Sequence, residues 1–316
     1  MAFFLESAAL SELVDSLLQE VWTQFPDLAE DEIALTIIYY QPPIIVNTGG
    51  ALSPQEFWKY TVAGYSYRGD EKIYPASVVK LFYLVAVHEW LKQKMVADSP
   101  ELQRAIADMI IDSSNDATSL IVDVLTGTTS GPELPPAPFA TWKKQRNLVN
   151  RYFKSWGWQE LVDINVNQKP WNEGPYGREK AFQGKSGENR NMLTTNAVAR
   201  LMHSIVGGVA VSSKRSQEMM QLLKRSLNSE DLAKYAGEED QVTGFLGSGL
   251  PDRAQIWSKA GWTSQTRHDA AYVEIPDGNS LSLVVFTEGK SNAQNKDILP
   301  FISQTLLEKL ATLTID

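Results

Sequence analysis

The stretch Ile73-Tyr-Pro-Ala-Ser-Val-Val-Lys-Leu-Phe-Tyr-Leu-Val-Ala-Val87 leaves a folding chain few choices. After Lys80 come Leu81, Phe82, Leu84, Val85 and Val87, a nearly unbroken apolar run. That is too apolar for a surface helix, so the segment is expected as a helix at the centre of a domain, from Ser77 to about Lys94. Pro75 sits just ahead of the run, where a helix start tolerates proline. Positions i and i+3 share a helix face, so Ser77 and Lys80 point the same way from the first turn. A hydroxyl beside an amine of lowered pKa is a nucleophile with its base. The helix N-terminus adds a partial positive charge that favours a developing anion. Ser-x-x-Lys alone is common by chance and mostly marks two unrelated surface residues. The apolar surroundings weaken that reading, because lysine is rarely buried without a partner or a purpose.

Composition excludes several classes. The chain has 316 residues, room for two average domains or one large one, and 43% of them are hydrophobic, enough for a sizeable core. A net charge of −9 and a pI near 5.0 argue against a nucleic-acid partner. The absence of cysteine excludes disulfides, thiol catalysis and cysteine-bound metal. His88, His203 and His268 lie far apart without ligand spacing, so no zinc is expected, and nothing calls for a cofactor. Gly184-Lys-Ser186 lacks the spacing and the leading strand of a phosphate loop and reads as ordinary loop. No Gly-x-Ser-x-Gly elbow is present. The N-terminus shows no secretory pattern, meeting Glu6 almost at once, and no apolar run approaches the roughly 18 residues of a membrane span. The expectation is a soluble cytoplasmic protein with no membrane partner, periplasmic if a leader was removed, and of open oligomeric state.

The periodicities give a layout. Leu10, Leu13, Val14, Leu17, Leu18, Val21 and Trp22 predict an amphipathic helix ended by Pro26. Ile33 to Tyr40 reads as a strand, with Ile44 to Val46 a candidate hairpin partner, and Ser53-Pro-Gln-Glu56 as a helix start. Tyr65 to Tyr74 reads as a polar lead into the central helix. Helices are expected from Ser99, over Ala117 to Leu125, again from Trp142, after Thr194, and from about Ser216 to Ala236. Between Trp158 and Asn191 no period appears, which marks a functional or disordered loop. Gln255 to Lys259, Ala270 to Ile275 and Leu281 to Thr287 read as strands, the last two joined at Pro276-Asp-Gly-Asn279. A final helix carries Leu299, Ile302, Leu306, Leu310 and Leu313. The domain expectation is a discontinuous sheet domain, 1–69 with 252–316, and an inserted all-α domain, 70–251, whose irregular loop lies near 158–191.

Three short motifs fall in order: Ser77-Val-Val-Lys80, Ser113-Ser-Asn115 and Lys259-Ala-Gly261. The set resembles the Ser-x-x-Lys, Ser-x-Asn and Lys-[Thr/Ser]-Gly motifs of class A β-lactamases and penicillin-binding proteins. The flanks Tyr74-Pro-Ala-Ser and Met109-Ile-Ile-Asp-Ser-Ser-Asn-Asp-Ala-Thr118 resemble the same family, and the likeness extends from about Ile33 to the C-terminus. It implies an α/β (α+β) fold, β-lactamase/transpeptidase-like, with an antiparallel sheet flanked by the terminal helices and an inserted all-α region. It also implies that Ser77, Lys80, Ser113 and Lys259 share one cleft. By the same resemblance, Ser77 is the nucleophile, Lys80 its base and Ser113 a proton relay. Asn115 holds Lys80 and binds a substrate amide, Lys259 attracts a substrate carboxylate, and Trp262, following Gly261, completes an oxyanion hole with the Ser77 N–H.

The departures from that pattern are specific. Ala260 replaces a hydroxyl residue, and Ser114 stands where class A commonly has aspartate. The Glu-x-x-Leu-Asn signature of the class A Ω-loop, whose glutamate activates the deacylating water, is absent. Glu173 lies in roughly the right region and is either that base or an exposed loop acid. The expected function is a serine hydrolase acting through an acyl-enzyme on a small amide, ester or β-lactam, β-lactamase-like in the first instance. The alternatives are a DD-peptidase or glutaminase-like amidohydrolase of the same fold, and a non-catalytic β-lactam or peptide sensor.

Overall fold

A computed structural model of the chain describes residues 3–40, 50–171, 174–233, 240–276 and 280–312. The chain divides into two compact units, Met1–Glu71 with Thr194–Asp316, and Lys72–Leu193.

The first unit holds a seven-stranded sheet. Its strands are β1 (Phe4–Glu6), β2 (Ile33–Tyr39), β3 (Val62–Tyr67), β4 (Lys224–Arg225), β5 (Gln255–Trp262), β6 (Thr266–Glu274) and β7 (Leu281–Glu288). They lie in the order β1-β3-β2-β7-β6-β5-β4. All neighbours are antiparallel except β1 and β3, so the sheet is mixed at one edge rather than wholly antiparallel. Side chains alternate between faces. Leu35 and Ile37 of β2, Leu283 and Val285 of β7, and Ala271 and Val273 of β6 share one core with the terminal helices Ala8–Gln24 and Ile298–Leu310. Leu10, Val14, Leu17, Val21, Leu299, Ile302 and Leu306 fill that core at helical spacing, each side chain contributing about 1.5–3 kcal/mol by leaving water.

A helix at Thr195–Val206, capped by Thr194, packs against β2, β6 and β7. Ala197, Val198, Leu201 and Met202 are fully buried. Thr36 Oγ1 donates to Asn196 Oδ1 at 2.8 Å and pairs with Thr195 Oγ1 at 2.8 Å. These contacts correct the expected boundary: the return to the sheet unit falls at Thr194, not near 252. The helix expected to reach Ala236 spans Ser213–Leu223 and gives way to β4, which pairs with β5. Strands β1 and β3 were not foreseen. Gly64 interrupts the apolar pattern of β3, and a Cβ there would meet Phe4 Cγ at 2.7 Å and Ile38 Cδ1 at 2.8 Å. The close packing that makes the strand is what removes its sequence signal. The expected partner strand at 44–46 and the turn at 277–279 lie outside the described residues.

The second unit is helical and surrounds the segment singled out above. That segment begins as a 3-10 turn, Ala76–Val79, and continues as an α-helix over Lys80–Lys92, buried on nearly every face. Helices Pro100–Ile110, Asn115–Thr126, Pro136–Arg146, Leu148–Lys154 and Gly177–Gln183 complete the unit. The aperiodic stretch 158–191 is held by hydrogen bonds rather than by an apolar stripe. Asn167 Nδ2 lies at 2.9, 2.9 and 3.0 Å from the side-chain oxygens of Asn147, Asn165 and Asn189, which share its two N–H donors, and Asn191 Oδ1 accepts the N–H groups of Asn167 and Gln168. Fully buried Arg146 joins Glu179 at 2.6 Å and Asp123 at 3.2 Å, and Lys169 reaches the same Asp123 at 2.7 Å.

Candidate active site

In the helical unit, Ser77 lies in the 3-10 turn and Lys80 is the first residue of the α-helix that follows. Residues i and i+3 eclipse in a 3-10 helix, so the shared face expected of an α-helix is kept by a tighter turn. Ser77 is partly exposed, whereas Lys80 is fully buried. Lys80 Nζ donates to the Ser113 carbonyl at 2.5 Å, to Ser113 Oγ at 3.1 Å and to Asn115 Oδ1 at 2.9 Å. Thus Ser77, Lys80, Ser113 and Asn115 belong to one neighbourhood, and the second motif grips the lysine of the first.

Local backbone explains how Ser113 and Asn115 arrive there. The helix Pro100–Ile110 ends just before Ser113, and Ser114 caps the next helix by accepting the Ala117 N–H at 3.1 Å. Asn115 is the first residue of that helix. Ser113 sits between the two at φ +53, and Ala76, immediately before Ser77, sits at φ +46. Left-handed backbone at a non-glycine residue costs on the order of 1–3 kcal/mol and gathers at functional sites. Here two of the chain's left-handed residues flank the same lysine.

Electrostatics follow from burial. Among the described residues no carboxylate is hydrogen-bonded to Lys80, and its partners are a carbonyl, a hydroxyl and an amide oxygen. Desolvation lowers its pKa from 10.5 to about 7. Near neutrality a large fraction of Lys80 is therefore the free amine. A neutral amine keeps two N–H bonds, matching the Ser113 carbonyl and Asn115 Oδ1, and turns a lone pair towards a hydroxyl proton. Among the described residues the Ser77 N–H makes no backbone hydrogen bond beyond its own 3-10 turn.

In the sheet unit, the third motif lies on β5. Lys259 is fully buried, hydrogen-bonded to Gln241 Oε1 and, at 2.8 Å, to the Ala260 carbonyl. Gly261 is in register with His268 and Trp262 with Arg267, so both stand at the end of β5 that turns into β6. Behind them, Asp269 is buried opposite Ala260 and accepts the N–H groups of Leu246 at 3.2 Å and Ala270 at 2.9 Å. Burial raises its pKa to about 7, opposed by those two donors and by the charges of Lys259 and Arg225. Arg225 donates to the Ser258 carbonyl at 3.0 Å. Gln241, Arg225 and Asp269 escaped the sequence reading. Only Asp269, an acid inside an apolar strand, left a signal that could have been followed. A cavity of about 850 Å³ elsewhere in this unit, lined by Tyr39, Leu250, Ile275, Gln304, Leu307 and Ala311, contains none of the motif residues.

A sequence model described as the β-lactamase enzyme family matches residues 91–310, more than half the chain. The chain belongs to the β-lactamase enzyme family. No curated protein sequence matches it. Three solved structures of similar fold include a mutant of PBP-A held as an acyl-enzyme with penicillin G, 17% identical at a TM-score of 0.64, with 96% of this chain and 98% of that chain covered. A β-lactamase from Sphaerobacter thermophilus is 16% identical at a TM-score of 0.59, covering 94% and 98%. A class A β-lactamase from Bacteroides cellulosilyticus is 16% identical at 0.61, covering 95% and 98%. At these identities the likeness shows the fold, which is the β-lactamase/transpeptidase-like fold expected from the motifs. The family match contains Ser113, Asn115, Lys259, Gly261 and Trp262 and begins after Ser77 and Lys80. The first motif therefore rests on its own geometry. Glu173 lies outside the described residues. Its neighbour in the stretch, Glu179, is committed to Arg146.

Proposed function

We propose that this member of the β-lactamase family is a serine hydrolase that forms an acyl-enzyme on Ser77, with β-lactam-type amides as its first substrate class. The observation that carries the reading is the Lys80 amine, buried, held by Ser113 and Asn115, and hydrogen-bonded to no carboxylate among the described residues. Ser77 Oγ attacks the substrate carbonyl while its proton passes to neutral Lys80 Nζ. The resulting oxyanion is assigned to the N–H groups of Ser77 and Trp262. As the carbon–nitrogen bond breaks, the Ser113 hydroxyl gives its proton to the leaving nitrogen and is reprotonated from Lys80; the 3.1 Å contact between them supports this relay. Asn115 fixes the lysine and offers its amide to the acyl group. Lys259 is assigned a substrate carboxylate, with Gly261 and Trp262 following it on β5.

The same enzyme is proposed to clear its acyl group slowly, because the Glu-x-x-Leu-Asn signature is missing. Glu173 is the first candidate for a replacement base. A fluorescent penicillin tests the assignment. Labelling that disappears in Ser77→Ala and Lys80→Ala is expected; labelling unchanged in Lys80→Ala would reject the lysine as base. Absence of label would leave the fold reading intact and move the substrate to another amide or ester.

A further inference from the structure

Within the sheet unit, the lysine of the third motif already holds an acceptor supplied by the chain. Lys259 is fully buried on β5, and its ammonium group donates to Gln241 Oε1 and, at 2.8 Å, to the Ala260 carbonyl. Arg225, on the neighbouring strand β4, brings a second cation to the same amide oxygen, with Nη2 at 3.5 Å. A neutral oxygen thus stands where two positive side chains converge, a place that suits an anionic oxygen better.

Gln241 is held there by its backbone. Its φ is +59, a left-handed conformation that is unfavourable for a residue with a Cβ and persists only where the surroundings impose it. The turn that follows is fixed by Asp240, whose Oδ1 accepts the N–H groups of Val242 at 2.8 Å and Thr243 at 2.6 Å, and whose Oδ2 accepts the Thr243 hydroxyl at 2.7 Å. The Val242 carbonyl in turn accepts the Phe245 N–H at 3.0 Å and the Ser248 hydroxyl at 2.8 Å. Gln241 itself is 2% exposed. An incoming acceptor therefore competes with one that is already tethered and ordered, a large advantage in effective concentration.

The rest of this strand end adds little for an anion. Ala260 has no polar side-chain atom and belongs to the apolar core shared with the terminal helices. Asp269, in register with Ala260, already sets a buried carboxyl group in the field of Lys259 and Arg225.

We infer that Gln241 is a specificity-determining residue: a substrate carboxylate reaches Lys259 only by displacing the Gln241 amide, and that displacement cancels the preference Lys259 would otherwise give to carboxylated over neutral substrates. The substrate class then includes amides and esters that are neutral at this end. The inference takes its link to substrate from the roles proposed above for Ser77 and Lys259; the occupation of Lys259 by Gln241 does not depend on them.

Two experiments keep these apart. Gln241→Gly removes the tethered acceptor and suits the left-handed backbone, whereas Gln241→Glu keeps the shape and adds a charge. In the first experiment, full-length protein isotope-labelled at the lysine ε-carbons is titrated with acetate and followed by NMR, the Lys259 signal being assigned by its loss in Lys259→Arg. Acetate affinity at Lys259 is expected to rise about tenfold in Gln241→Gly and to fall about tenfold in Gln241→Glu. The same affinity in all three proteins would overturn the competition. In the second, acylation of Ser77 is timed by intact mass with penicillin G and with its methyl ester, which differ at the carboxylate alone. The wild type is expected to react with the two at rates within about threefold, Gln241→Gly to prefer the free acid about tenfold, and Gln241→Glu to prefer the ester. A wild type that prefers the acid as strongly as Gln241→Gly does would overturn the inference. If neither compound labels Ser77 in any variant, the penicillin reading of Ser77 fails and the acetate titration alone decides the role of Gln241.

Discussion

The Lys80 amine can be perturbed by pH alone. Its pKa falls from 10.5 to about 7 because burial strips its water. At pH 7 about half of Lys80 is then neutral, against about one lysine in 3,000 at the ordinary value. If neutral Lys80 takes the Ser77 proton, the acylation rate rises about tenfold per pH unit below 7 and levels off above about pH 8. Lys80→Ala should lower the plateau by about 10²–10⁴-fold and abolish the slope. The assay is rapid mixing with excess penicillin, acid quench and intact-mass detection of the adduct from pH 5.5 to 9.5. A rate independent of pH, or one still climbing tenfold per unit at pH 9.5, would refute the reasoning. Stability gives an independent reading of the same group. Its folded pKa is depressed, so between about pH 7 and 10.5 the unfolded chain binds the extra proton and stability rises with pH. The span corresponds to at most about 5 kcal/mol. That rise should be missing in Lys80→Met, measured by urea denaturation at a series of pH values.

Other consequences concern the two units separately. Glu179→Gln leaves fully buried Arg146 with only Asp123 as a charged partner and should cost about 3–5 kcal/mol in urea denaturation; a cost below about 1 kcal/mol would show that the pair holds little. Asp269 has the opposite sign to Lys80. Its raised pKa means that the folded chain binds the proton between 3.8 and about 7, so stability falls as pH rises through that window by at most about 4 kcal/mol. Asp269→Asn should remove that decline, and an unchanged pH profile would contradict the raised pKa.

The parts of this molecule written in local pattern were legible, and the parts written in long-range contact were not. The central helix announced itself because almost every side chain from Leu81 to Leu91 is buried. Ser53-Pro-Gln-Glu56 forms the expected helix start, where Ser53 N donates to Glu56 Oε2 at 2.9 Å. The contacts of Lys80 with Ser113 and Asn115 span more than thirty positions, and in the sequence only the family resemblance of the motifs implied them. By contrast, Thr195–Val206 was assigned to the wrong unit. Its amphipathic pattern says that it packs, not on what, and the contacts that decide it run from Thr36 to Thr195 and Asn196. The region 158–191 looked patternless because asparagine side chains, not apolar spacing, hold it.

The central claim is that Ser77 becomes acylated with Lys80 as its base, and mass spectrometry of the full chain mixed with penicillin G tests it directly. The account predicts an adduct on the peptide that carries Ser77, accumulating ahead of slow turnover and absent in both Ser77→Ala and Lys80→Ala. An adduct on any other residue, or one forming at the wild-type rate in Lys80→Ala, would contradict it.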